Sequence, residues 1–139
     1  MLQFLLDTDH LTLYQLKHPP LLHRIALQPA DSVAICPINI EETMRGWLGP
    51  LGRMLTGSKH VQAYAHLVAA EEMFRLFPLV PFESASESEF QRLRAARLRV
   101  GTLDLKIAAI ALTNSLTVLT RNRIDFGRVA GLALEDWSA

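Results

Sequence analysis

Acidic side chains in this chain stand where apolar runs end or where helices begin. Asp7 directly follows the run Leu2–Leu6, and Glu41 and Glu42 come shortly after the run Val33–Cys36. Asp104 follows Gly101 and Thr102, while Asn122 and Asp125 follow the run Leu116–Thr120. Taken singly, each is ordinary solvated or capping chemistry; their joint placement is the signal. Carboxylates drawn into one place repel, at about 4 kcal/mol for two unit charges 4 Å apart in an effective dielectric of 20. Such a group persists when a cation neutralises it or when some of its acids stay protonated. An oxygen donor set with no cysteine pair and no paired histidines suits Mg2+ or Mn2+ better than zinc. A carboxylate-held Mg2+ activates water and stabilises a pentavalent phosphate, which is the chemistry of a metal-dependent nuclease. Between Ser88 and Arg128, the residues Arg92, Arg94, Arg97, Arg99, Lys106, Arg121, Arg123 and Arg128 face only Glu89, Asp104 and Asp125. Alone, that run reads as a solvated helix face; beside an acidic metal site it offers phosphate contacts.

These side chains need strands that end together and helices that start beside them. Leu2–Leu6 is a short, mostly apolar run, as expected of a strand buried on both faces of a parallel sheet. Helical spacing follows from Leu11 to Leu27, interrupted at Pro19 and Pro20. Val33–Cys36 is the next strand, and Pro37 suits the first turn of a helix running through Glu41 and Glu42 toward Gly46 or Gly49. A helix is expected over His60–Phe77, then a short edge strand at Leu79–Phe82, demoted by Pro81. Ser84 with Glu87, or Ser86 with Glu89, reads as a capping box opening the arginine-bearing helix. Thr102 can cap the next helix, with Asp104 in its first turn and Asn114 or Ser115 at its end. Leu116–Thr120 is a strand and Leu132–Leu134 a weaker one. Strands alternating with helices predict an α/β fold of three layers, α/β/α, around a largely parallel sheet, in one domain over residues 1–139.

Composition narrows the class. The chain has 139 residues, 50% of them hydrophobic and 20% charged, with one cysteine and zero formal net charge. That length suits one core of ordinary size. No apolar run approaches the ~20 residues of a membrane span, and no Lys or Arg precedes Phe4 as a secretory leader requires. A lone Cys36 excludes a disulfide framework; the expected setting is the cytoplasm. Cys36 reads as core packing, and Trp47 and Trp137 as packing or interface residues. The five histidines (His10, His18, His23, His60, His66) lack metal-ligand spacing and read as surface or rim residues. A mean hydropathy of +0.17 points to an apolar surface used for association.

Two other functions compete with a nuclease. Asp7-Thr8-Asp9 is similar to the D-x-D of haloacid-dehalogenase-type phosphatases, whose first Asp attacks phosphorus. That family also needs a lysine after the strand ending at Thr120, and Lys106 is the last lysine of the chain. A catalytically inactive module that binds RNA or protein is the second alternative; the intact acids argue against it.

Laid end to end, the motifs resemble those of PIN-domain ribonucleases of the VapC type, the toxin half of a type II toxin–antitoxin pair. Leu5–Leu11 (LLDTDHL) is similar to the family's opening strand and metal-binding Asp, and Glu42–Gly46 (ETMRG) to its E-x-x-x-G helix. Gly101–Ala109 (GTLDLKIAA) is similar to G-x-x-D-x-x-I-A-A, and Thr120–Phe126 (TRNRIDF) with Arg128–Leu132 (RVAGL) to T-x-N-x-x-[DE]-F followed by R-V-x-G-L. The resemblance spans nearly the whole chain. It implies a PIN-like fold and an Mg2+- or Mn2+-dependent endoribonuclease that hydrolyses phosphodiester bonds with metal-activated water. It makes Asp7 and Asp104 the principal metal ligands, with Glu42 and Asp125 completing the acid set. Thr120 would orient a carboxylate or water, and Asn122 stands where many PIN domains have an acid. Arg121, Arg123 and Arg128 would hold the RNA backbone. Glu41 beside Glu42 leaves two choices; Gly46 sets the register in favour of Glu42, because adjacent helical residues point about 100° apart. Cys36 replaces the usual Ser before this helix and is a poorer N-cap. The implied partners are an RNA substrate (tRNA or ribosomal RNA among the classes), a small cognate antitoxin and a second copy of the chain, with no membrane.

Overall fold

The computed structural model describes residues 1–53 and 56–139. Its elements run β1 (Phe4–Leu6), α1 (Thr8–Gln15), α2 (Pro19–Ala26), β2 (Val33–Ala34), α3 (Pro37–Leu51), α4 (Gly57–Phe74), α5 (Ser84–Ala95), α6 (Thr102–Thr113), β3 (Thr117–Leu119), α7 (Arg123–Phe126) and β4 (Leu134–Glu135). The strands form one parallel sheet in the order β2-β1-β3-β4. A single parallel bridge, Ile35 to Leu79, extends it beyond β2. The Leu79–Phe82 run therefore contributes only an edge contact, in keeping with Pro81.

Side chains alternate across the strands, and the register sorts them into two cores. Leu5 lies beside Ala34 and Val118, and all three pack with Phe90 and Leu93 of α5 and Leu105–Ala111 of α6. Leu6 lies beside Leu119, and both face the other way, toward Leu11, Leu21, Met73 and Trp137. A slip of one residue would turn every one of these side chains to the wrong layer. The three-layer α/β/α arrangement expected from the alternation of strands and helices is thus present. Among the described residues, no helix is long and apolar enough to cross a membrane.

Several element ends differ from the local signals. The helix expected from Leu11 begins at Thr8, because Asp7 is its N-cap and accepts from the His10 N–H. Neither Gly46 nor Gly49 stops α3, which continues through Pro50 to Leu51. At α5 the N-cap is Glu83, with Ser86 Oγ accepting from its N–H at 3.4 Å, in place of the two Ser/Glu pairs. Gly101, not Thr102, caps α6, and Asp104 sits in its first turn as expected.

The strand order places a topological switch between β1 and β3, since the chain builds outward from β1 in both directions. Ligands of open parallel sheets bind beyond the carboxyl ends of the strands at such a point. Asp7 leaves β1 there and Thr120 leaves β3 there, with the Asp7 N–H donating to Leu119 O at 3.0 Å.

Candidate metal centre

Asp7 is held rigidly. It is 5% exposed, and as N-cap of α1 its Oδ1 accepts from the His10 N–H at 2.7 Å. The next residue reaches sideways: Thr8 Oγ1 donates to Glu42 Oε1 at 2.6 Å. Asn39, fully buried in the first turn of α3, ties these pieces together. Its Nδ2 donates to Leu6 O (3.1 Å) and to Thr8 Oγ1 (3.2 Å), and its Oδ1 accepts from the Cys36 N–H (2.7 Å). Asn39 thus supplies part of the capping that the Cys36 thiol supplies poorly. Burial pushes that thiol up to about 11, so it is inert at neutral pH and serves as packing.

Asp104 and Asp125 come from the opposite side of the switch. Asp125 opens α7; Asn122 Oδ1 accepts from its N–H (3.3 Å) and Asn122 Nδ2 donates to its Oδ2 (3.0 Å). Thr120, fully buried, accepts from the Asn122 N–H at 2.8 Å, and so acts on Asp125 through that asparagine. Arg128 donates to the remaining Asp125 oxygen at 2.7 Å.

Asp104 senses the other three acids. Burial, then the negative charges of Glu42, Asp7 and Asp125, pushes the half-buried Asp104 carboxyl up to about 6. Among the described residues, no Lys or Arg forms an ion pair with Asp7, Glu42 or Asp104. Glu41 faces elsewhere and pairs with Arg45 at 2.6 Å. Packing therefore separates the two adjacent glutamates.

Of the three arginines expected near RNA, two have partners within the chain. Arg121 makes a two-pronged pair with Asp9, both contacts 2.7 Å. Arg128 bridges Asp125 and Arg99 O. Arg123 is exposed at the start of α7. Against burial, which raises it, the Asp136 carboxyl is held below the usual carboxylate range by the Ser138 hydrogen bonds, then by His10 and Arg123. Asp9 is thus committed to Arg121, and Lys106 lies over the Phe90 ring, 5.5 Å from its centre. The acid-and-lysine arrangement of a phosphatase has no counterpart here among the described residues.

Three contributors escaped the sequence reading. Thr8 and Asn39 are polar residues whose positions, directly after Asp7 and three after Cys36, were the available signal. His10 is the third, and a surface or rim assignment is wrong for it: the ring is 0% exposed. Asp7, Asp9 and His10 bring donor atoms within 4.8 Å of one another. Asp9 is exposed and engaged by Arg121, however, and His10 Nε2 accepts from the Trp137 N–H at 3.1 Å. Asp9 and His10 are thus engaged elsewhere, and it is Asp104 that feels the charges of Glu42, Asp7 and Asp125.

Comparison with known proteins identifies the family. The PIN domain family model matches residues 5–132. The tRNA(fMet)-specific endonuclease VapC of Shigella flexneri is 26% identical over 144 residues, covering 99% of this chain and 100% of that protein. Ribonuclease VapC1 of Rickettsia felis is 31% identical over 102 residues, 70% of this chain and 71% of that protein. The fold superposes with a TM-score of 0.82 on a chain of DNA-bound VapBC from Salmonella typhimurium, at 25% identity and with 99% of each chain covered. With a family model over most of its length and this similarity to VapC ribonucleases, the chain belongs to the PIN-domain family, within its VapC ribonuclease group.

Proposed function

We propose that this chain is an Mg2+- or Mn2+-dependent endoribonuclease, the toxin of a toxin–antitoxin pair, with Asp7, Glu42, Asp104 and Asp125 as its metal-binding and catalytic acids. The observation that carries the reading is the convergence of these carboxylates from separate elements without a cationic side chain on three of them. Their donor atoms are all oxygens, and a divalent cation would relieve the repulsion that adds to burial in lifting Asp104. When bound, such a cation supplies charge for the phosphate and lowers the pKa of a water.

The protein's own groups do the positioning. Asp7 and Asp104, from the end of β1 and the start of α6, form the two sides of the site. Glu42 is kept in one rotamer by the Thr8 hydroxyl, and Asp125 is kept by Asn122 and Arg128. Arg123 has the exposure required for a phosphate contact; Arg121 and Arg128 would contribute through their unpaired guanidinium N–H groups. RNA, in the cytoplasm, is the substrate class. A protein partner is supported by a stripe on α4, where Val61, Tyr64 and Val68 are 70%, 54% and 58% exposed. Apolar exposure of that kind suits an antitoxin or a second copy of the chain.

The test is cleavage of total RNA by the purified chain with Mg2+, with Mn2+ and with EDTA. Discrete fragments in the presence of either metal, and intact RNA in EDTA, are expected. A chain freed of bound protein that binds Mn2+ in calorimetry yet leaves RNA uncut sinks the nuclease reading. Absence of both cleavage and Mn2+ binding favours the inactive binding module. A finer expectation concerns Thr8→Val, which keeps the shape and removes the hydroxyl that orients Glu42. Loss of such a supporting hydrogen bond lowers metal affinity or activity about 10-fold or more, with a stability change of about 1 kcal/mol. Cleavage rates and thermal unfolding of this variant give both numbers.

A further inference from the structure

The His10 ring is buried between a proposed metal ligand and the last residues of the chain, and its two nitrogens face different things. Nε2 accepts from the backbone N–H of Trp137 at 3.1 Å, with Asp136 Oδ1 3.5 Å away, so in the neutral ring the proton resides on Nδ1. Nδ1 is fully buried and has no hydrogen-bond partner at normal distance. The polar atom before it is Asp7 Oδ1, 3.5 Å away, the same oxygen that accepts from the His10 backbone N–H. Trp137 is itself fixed: its indole N–H donates to Glu135 Oε2 at 2.6 Å, and its ring packs on Phe4 with centroids 4.6 Å apart. The chain end is pinned again where His18 Nε2 meets Ser138 O at 2.7 Å.

We infer that His10 is a positioning residue for Asp7, through which the C-terminal segment Glu135–Ser138 completes the metal centre. The His10 backbone N–H bonds Oδ1 and the ring Nδ1 faces the same oxygen at 3.5 Å, which leaves Asp7 Oδ2 as the oxygen free to meet a cation. Trp137 fixes the ring tautomer and angle, as outer hydrogen bonds do for ligands in metal sites generally. A contact between residues 127 positions apart thereby decides how the first acid of the chain is presented.

The inference rests on the reading of Asp7 as a metal ligand, and the experiment separates the two. Full-length wild-type protein, Asp7→Asn, His10→Gln and His10→Asn are titrated with Mn2+ by calorimetry, and their thermal unfolding is recorded without metal. His10→Gln can still accept the Trp137 N–H but presents no donor in the Nδ1 position. His10→Asn keeps a donor near the Nδ1 position and loses the Trp137 contact. The expected result is near-wild-type melting for His10→Gln with Mn2+ affinity about 10-fold weaker. His10→Asn melts lower, yet binds Mn2+ several-fold more tightly than His10→Gln. Wild-type affinity in His10→Gln, or affinities that simply follow melting temperature across the two variants, overturns the positioning role. Unchanged Mn2+ binding by Asp7→Asn overturns the metal-site reading beneath it.

Discussion

Asp7→Asn is expected to abolish RNA cleavage while leaving the fold intact. The two jobs of this side chain can be separated by substitution. As N-cap of α1, Asp7 uses Oδ1 to accept from the His10 N–H. An asparagine Oδ1 does this equally well, since Asn and Asp are near-equal N-caps. As a metal ligand, it supplies a negative charge that an amide cannot. Supporting residues in metal sites cost about 10–100-fold when removed, so loss of a ligand should exceed about 100-fold. Far-UV circular dichroism and melting without metal should match wild type, and Mn2+ binding should fall with cleavage. Asp7→Ala is the less informative choice, because it also loses the cap, worth about 1 kcal/mol. Wild-type cleavage by Asp7→Asn would remove Asp7 from the chemistry altogether.

Asp104→Asn should invert the order of stabilities when metal is added. The Asp104 carboxyl is raised from 3.8 to about 6 in the folded chain, by burial first and then by Glu42, Asp7 and Asp125. Between those values the folded state holds a proton that the unfolded state releases, so stability falls as pH rises through that window. A rise of that size corresponds to roughly 3 kcal/mol; solvent screening of this half-buried group reduces that to about 1 kcal/mol. Without metal at pH 7, Asp104→Asn should therefore melt roughly 3–4 °C above wild type. The advantage should shrink below pH 6 and vanish below about pH 4, where Asp104 is protonated in both states. Saturating Mn2+ reverses the comparison: at 100 times its dissociation constant a ligand stabilises its site by about 2.7 kcal/mol, and wild type alone should gain that in full. Melting curves at pH 4, 6 and 7, with and without Mn2+, check each part. Equal melting of both chains at pH 7 without metal would show that neither burial nor the neighbouring acids penalise the charged form of Asp104.

Much of this molecule follows from short-range signals. Leu5 and Leu6 must face opposite ways in a strand, and an acid at position 7 ends the strand where the backbone can turn into α1. Pro37 has no N–H to lose at the start of α3, and Asp104 opens α6 where the helix dipole favours a negative charge. These choices depend on neighbours within a turn or a pleat, so the parallel sheet and its core were legible from spacing alone. Caps proved less legible, because several residues in a row can accept the same N–H groups. Glu83 and Gly101 occupy positions that Ser84 and Thr102 could have filled.

Packing between distant segments decided the remainder. Glu41 and Glu42 differ little in sequence, but only Glu42 meets Thr8, 34 residues away. Arg121 is bound to Asp9 and Arg128 to Asp125, so their charges are partly answered before any RNA arrives. His10 is buried because Trp137 and the chain end close over it, which no spacing around residue 10 could reveal. Local patterns specify which face of an element is apolar and where it stops. The partner of a polar side chain is specified by whichever distant segment the folded sheet and helices bring within about 3 Å, the range over which a hydrogen bond acts.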